Sequence, residues 1–202
     1  MKEIIDFITE LKKQKDTDLV TNPYLENGVA GNLEHYLVAM KKLQGKRVLL
    51  VGEAPGHQGC RITGIPFTSG KVFEKISHPL LKTIKDNLVL NSIQAEPTAT
   101  IVWNYLSTKN DTPLFWNSYP YHPHPKNILN KNRAPTSEEI EQGVYFLKKI
   151  VDIYQPTVIA GIGYSGVECA ERAFPNIKIE YIRHPSFGGK ADFIEGMNKI
   201  IL

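Results

Sequence analysis

The stretch Arg47-Val48-Leu49-Leu50-Val51-Gly52-Glu53-Ala54-Pro55-Gly56 decides the fold. A short unbroken apolar run, ended by glycine and proline, reads as a strand buried on both faces. Such strands belong to parallel sheets with helices above and below. Upstream, Ile4, Ile5, Phe7, Ile8 and Leu11 fall at helical spacing, as do Leu33, Tyr36, Leu37, Met40 and Leu43, with Gly45 as the stop. Downstream, residues 52–70 read as a loop, and helical pattern returns at Lys71–Ser77 and Thr98–Leu106. Leu114–Asn117 is the second strand, followed by a proline-rich loop from Ser118 to Pro135. Thr136-Ser137-Glu138-Glu139 forms a capping box that opens a long helix carrying Ile140, Val144, Leu147, Val151 and Tyr154, stopped by Pro156. Thr157–Ala160 is the third strand, Tyr164–Ala173 a helix, Ile177–Ile182 the fourth strand and Ala191–Ile201 the last helix. Alternation of this kind predicts a three-layer α/β/α fold around a central four-stranded parallel sheet. Residues 1–202 read as a single domain, with 1–45 an N-terminal helical cover and 78–113 extra cover.

Composition agrees and narrows the function. At 202 residues, with 42% hydrophobic and 22% charged, the chain has enough apolar material for a core and is not a disordered segment. No apolar run is long enough to span a membrane, and the mixed charges of the first residues are unlike a secretory signal. Cys60 and Cys169 are too few for a disulfide framework, a four-cysteine zinc site or a four-cysteine iron–sulfur cluster, and they suit a reducing cytoplasm. The net charge of +3 permits a nucleic-acid partner without requiring one.

In open α/β sheets ligands bind at the carboxyl ends of the strands. Four segments leave those ends: 52–56, 116–120, 161–166 and 183–186. Together they offer the Glu53 carboxylate, the Asn117 amide, the His184 imidazole and several glycine amides. An amide side chain presents a donor and an acceptor, which suits one edge of a pyrimidine. An imidazole donates to a developing oxyanion.

The ordered set GEAPG (52–56), GIPFTSG (64–70), WNSYPYHPHP (116–125), NRAPT (132–136) and HPS (184–186) resembles the uracil-DNA glycosylase superfamily, in particular its GEAPG-type branch with iron–sulfur members. The similarity runs from about residue 47 to 190. It implies a monofunctional hydrolase that cleaves the N-glycosidic bond of uracil, or of a related deaminated or modified base, in DNA and so starts base excision repair. Under the resemblance, His184 stabilises negative charge on O2 of the leaving base. Gly52, Glu53 and Ala54 lie against that base, Phe67 stacks on it and Asn117 reads its edge. Ser165, Ser186, Phe187 and Lys190 face DNA, the last three in a loop that enters the minor groove. No metal or organic cofactor is expected. The expected partner is uracil-containing DNA, single- or double-stranded, and the expected setting is a cytoplasmic, nucleoid-associated monomer.

The chain departs from the family in three ways. Two cysteines replace the four of the cluster-bearing members. Ala54 stands where the GQDPYH branch has a water-activating Asp, which leaves Glu53 to position water or steady the sugar cation. Gly56 replaces the tyrosine that excludes the methyl group of thymine. Two other readings compete. One is a non-catalytic protein that keeps the base pocket and binds damaged DNA. The other is a dinucleotide-binding enzyme using Gly161, Gly163 and Gly166, with Glu180 near the spacing of a ribose-binding acid, although too little chain follows for a full dinucleotide fold. His122 and His124, with His57, are the nearest approach to a zinc set, and the intervening proline favours a loop. Arg61, Lys71, Lys126, Arg133, Arg183 and Lys190 flank the motif loops as a potential phosphate track.

Overall fold

The strand at Val48–Gly52 is buried at every position, as its apolar run requires. The computed structural model describes residues 1–201. In chain order its elements are α1 (Lys2–Leu11), β1 (Val20–Thr21), α2 (Val29–Lys42), β2 (Val48–Gly52), α3 (Cys60–Thr63), α4 (Gly70–Lys75), α5 (Pro79–Lys85), α6 (Pro97–Leu106), β3 (Leu114–Asn117), β4 (His122–Pro123), α7 (Ser137–Tyr154), β5 (Val158–Ile162), α8 (Tyr164–Ala173), β6 (Glu180–Ile182) and α9 (Lys190–Ile201). The chain divides into two compact units. The first comprises Met1–Leu43, Pro55–Ser107 and Tyr121–Ala134, and the second Gln44–Ala54, Thr108–Pro120 and the chain from Pro135 onward.

The second unit holds the sheet. Its four strands run parallel in the order β3-β2-β5-β6, which places β2 and β5 in the middle. The architecture is thus α/β with a four-stranded parallel sheet flanked by helices. Helices α7 and α8 pack on each other, α8 lies against β2 and β5, and α9 lies against β6. Leu49, Leu50, Phe115, Trp116, Ala160, Ile182, Phe193 and Met197 are fully buried between them. Burial of each large apolar side chain stabilises the unit by about 1.5–3 kcal/mol. The expected capping box is present: the Thr136 hydroxyl accepts from the Glu139 amide at 3.2 Å, and the Glu139 carboxylate accepts from the Thr136 amide at 2.8 Å. At the other end of α7, Gln155 adopts a left-handed conformation at φ 52° just before Pro156.

Helices dominate the first unit. Buried Asn32 on α2 donates to the Thr63 and Val89 carbonyls, at 2.9 and 2.8 Å, and accepts from the Val89 amide at 2.8 Å. One side chain therefore ties the end of α3 to the segment around Val89. The two-residue strands β1 and β4 pair antiparallel, Val20 with Pro123 and Thr21 with His122.

Two sequence expectations need correction. The loop expected over 52–70 contains the short helix α3, which Gly64 ends at φ 75°. The last strand covers only Glu180–Ile182, since the Ile177 amide closes a turn onto the Phe174 carbonyl at 3.0 Å. Within the 78–113 cover, Pro79 occupies the first turn of α5 and the His78 ring accepts from the Leu80 amide at 3.2 Å.

Candidate functional site

The parallel register sets Asn117 opposite Gly52 at the carboxyl ends of β3 and β2. Beyond the strands the pairing continues. The Ser118 amide donates to the Gly52 carbonyl at 2.8 Å, the Tyr119 amide to the Glu53 carbonyl at 3.1 Å, and the Ser118 hydroxyl to the same Glu53 carbonyl at 2.6 Å. The loop carrying Gly52, Glu53 and Ala54 is thereby tied beside the buried Asn117.

Next along the sheet edge is the turn between β5 and α8. Gly163 makes it at φ 78°, a conformation that would strain any side chain. Gly166 lets α8 settle onto the sheet, because a Cβ there would lie 1.9 Å from the Val51 carbonyl oxygen. The G-x-G-x-x-G spacing is thus accounted for by a tight turn and by helix–strand packing. Ser165, on the first turn of α8, donates to the Glu53 carboxylate at 3.2 Å. The Glu53 side chain is open to solvent, yet the surrounding protein desolvates it enough to raise its pKa above the ordinary value, against the lowering influence of Ser165.

After β6 come Arg183 and His184. The His184 Nδ1 atom lies 2.7 Å from the Ser186 hydroxyl and accepts the Ser186 amide at 3.3 Å. An Nδ1 that accepts a backbone N–H has no proton of its own, so in the neutral ring the proton sits on Nε2. Burial and then the neighbouring Arg183 charge lower the His184 pKa, which favours that neutral ring. The guanidinium of Arg183 also donates to the His184 carbonyl at 3.2 Å.

Phe187 and Gly188 follow at φ 50° and 78°, and the Gly189 amide closes back on the Ser186 carbonyl at 3.0 Å. Two successive left-handed residues make a tight turn with Phe187 at its tip, 98% exposed. Lys190 stands exposed at the start of α9. The second unit therefore gathers Gly52, Glu53, Ala54, Asn117, Ser165, His184 and Ser186 along the carboxyl edge of one sheet, with Phe187 and Lys190 on the loop beyond it.

Phe67 belongs to the first unit. Its backbone is left-handed at φ 56°, rare for a bulky aromatic, and its carbonyl is held by the Trp103 indole N–H at 2.9 Å. Strain of this kind persists where surroundings enforce it, and it concentrates at functional positions. The remaining Pro55–Gly56 part of the GEAPG loop is anchored in this unit as well. His122 Nδ1 lies 2.7 Å from the Pro55 carbonyl and its Nε2 lies 3.0 Å from the Leu129 carbonyl. Burial lowers the His122 pKa to about 4. The His124 ring is held between the Pro125 carbonyl at 2.9 Å and the Thr21 hydroxyl at 3.2 Å. The His57 amide donates to Asn132 at 2.9 Å. These histidines act as loop ties, and among the described residues no group of three or more His, Cys, Asp or Glu is placed to hold a metal. In the second unit, burial pushes the Cys169 thiol up to about 12, so it stays protonated against the Ser118 carbonyl at 3.5 Å.

Sequence reasoning missed two roles. Ser186 fixes the His184 tautomer, for which the only sequence signal is its position two residues after the histidine. His122 holds the Pro55 carbonyl across a long sequence separation, and no local pattern announces that.

A profile of the uracil DNA glycosylase superfamily matches residues 41–194. Among solved structures, the SMUG2 protein of Pedobacter heparinus is similar with a TM-score of 0.65 at 17% identity, over 96% of this chain and 94% of that one. A search of curated proteins finds no match. No helix among the described residues is long and apolar enough to cross a membrane.

Proposed function

The chain belongs to the uracil DNA glycosylase superfamily, and from that premise we propose that it hydrolyses the N-glycosidic bond of uracil, or of a closely related deaminated base, extruded from DNA. The observation that carries this reading is the His184 imidazole, whose Nδ1 is engaged by Ser186 so that Nε2–H is left to donate. That donor stands on the same sheet edge as Asn117 and Glu53.

A base stacked inside a duplex exposes neither its edge nor its glycosidic bond, so the nucleotide must be rolled out first. As the bond breaks, its electron pair passes to the base and positive charge develops on the sugar. Asn117 reads the edge of the pyrimidine. His184 Nε2–H donates to O2, where negative charge grows, and such a bond strengthens toward the transition state. The loop amides at Gly52 to Ala54 face the base. The family resemblance assigns base stacking to Phe67, and stacking, worth about 1–3 kcal/mol, does not discriminate among bases, which leaves selectivity to Asn117. Glu53 steadies the sugar cation and orients the water that adds to it. Water is the acceptor, so the enzyme is monofunctional and leaves an abasic site. Ser165, Ser186, Phe187 and Lys190 meet the DNA. The protein acts as a monomer within the cytoplasm.

The reading is tested with oligonucleotides that each carry one altered base, incubated with purified protein and then cleaved with alkali. Release of free uracil, with strand scission only after alkali, is the expected result. Tight binding to uracil-containing DNA with no release on prolonged incubation would instead identify a damage-binding protein in which Ala54 has removed turnover.

A further inference from the structure

Two tyrosines stand in water on the second unit, Tyr164 at 82% exposure and Tyr181 at 44%. Their ring centroids are 5.3 Å apart, with planes inclined at 31°. Tyr164 begins α8, and Tyr181 sits in the middle of β6, the outermost strand next to β5. Two adjoining aromatic rings exposed on a sheet edge form an apolar patch, and such patches mark recognition surfaces.

Both rings ride on the segments that build the candidate site. Tyr164 immediately precedes Ser165, whose hydroxyl reaches Glu53. Tyr181 precedes the Arg183-His184 pair by two residues. Tyr181 and Arg183 also line a common cleft of about 560 Å³. Of the three carboxylates on that cleft, Glu180 pairs with Lys178 at 2.5 Å and Glu195 with Lys199 at 2.6 Å, and Asp192 is the third, set against the Lys46, Arg183 and Lys199 cations. A flat π surface beside a guanidinium suits a partner with its own π face and a negatively charged backbone. An unpaired nucleobase on a DNA strand has both, whereas the faces of a paired base are covered by its stack.

We propose that Tyr164 and Tyr181 form a stacking platform for an unpaired base of the DNA strand flanking the extruded nucleotide. The proposal rests on the glycosylase reading for its choice of DNA, and it adds a contact outside the base pocket. Neither ring is part of the catalytic set.

The test is binding of labelled, uracil-free oligonucleotides, single-stranded and duplex, to the wild-type protein and to the Tyr164→Ala/Tyr181→Ala and Tyr164→Phe/Tyr181→Phe variants. The alanine variant should lose roughly 10- to 100-fold in single-strand affinity, with duplex affinity unchanged. The phenylalanine variant should bind as the wild type does, because stacking needs the ring and not the hydroxyl. Unchanged single-strand affinity in the alanine variant, or an equal loss on both DNA forms, would overturn the platform. So would a wild-type dimer that the alanine variant converts to monomer, since a second copy of the chain would then cover the rings. No uracil is present in these measurements, so failure of the wild-type protein to release uracil, read separately, bears on the glycosylase reading alone.

Discussion

Ser186 holds the His184 ring twice, through its hydroxyl at 2.7 Å and its amide at 3.3 Å, both on Nδ1. The amide contact is backbone and survives substitution by any residue but proline. Ser186→Ala should therefore lower kcat by roughly 2- to 10-fold, the range for loss of one hydrogen bond of about 0.5–1.5 kcal/mol, with KM little changed. Ser186→Thr keeps a hydroxyl and should recover most of the rate. Steady-state kinetics on a uracil oligonucleotide checks both.

Glu53 should set the acid side of the activity profile. Its pKa is raised above 4.5 by desolvation, against the Ser165 hydrogen bond. On the proposed mechanism the charged form steadies the sugar cation, so activity should fall as pH drops through that raised value. Glu53→Gln should be slower at neutral pH and should lack this acid limb. A single-turnover rate profile from pH 4 to 8 gives the comparison. A wild-type acid limb that persists unchanged in Glu53→Gln would assign it to another group.

Folding stability should carry the signature of His122. Its folded pKa is about 4 against an ordinary value of 6.5. Between those values the unfolded chain takes up a proton that the folded chain refuses, so stability falls as pH drops through this window and levels off below it. The lowered His78 and His184 act in the same direction, while the Pro55 and Leu129 carbonyls on the two His122 nitrogens favour the charged ring and reduce the His122 share. Urea denaturation at pH 7 and pH 4.5 should give a smaller difference for His122→Gln than for the wild type.

Phe187 is almost wholly exposed, so its truncation should leave the melting temperature unchanged. If the ring fills the space left by an extruded nucleotide, Phe187→Ala should slow release from duplex DNA by about 10-fold or more and affect a single strand less, because only the duplex leaves a stack to be filled. Equal rates for variant and wild type on duplex DNA would remove Phe187 from that role.

The parts of this fold that were legible in sequence are those decided by near neighbours. Val48–Val51 declares a buried strand by unbroken apolarity, and Thr136 with Glu139 declares a helix start, since both signals need only a few adjacent residues. Helix α5 is short and begins at a proline, a residue that signals a turn as readily as a first helical turn, so its sequence does not announce it. The pairing of Thr21 with His122 joins residues about half the chain apart and leaves no periodic trace. At the candidate site, motif order located Glu53, Asn117 and His184 on strand ends. The left-handed backbone of Phe67 is imposed by its surroundings, and so is the pairing of the Tyr164 and Tyr181 rings. Neither belongs to local sequence.

The central claim is that His184 donates to the departing base. The most direct measurement is the single-turnover rate of uracil release by His184→Ala, taken with its affinity for the same oligonucleotide made uncleavable. The account predicts a fall on the order of 10²–10³ in rate with affinity retained, the usual cost of removing one transition-state donor. Release at the wild-type rate by His184→Ala would contradict it.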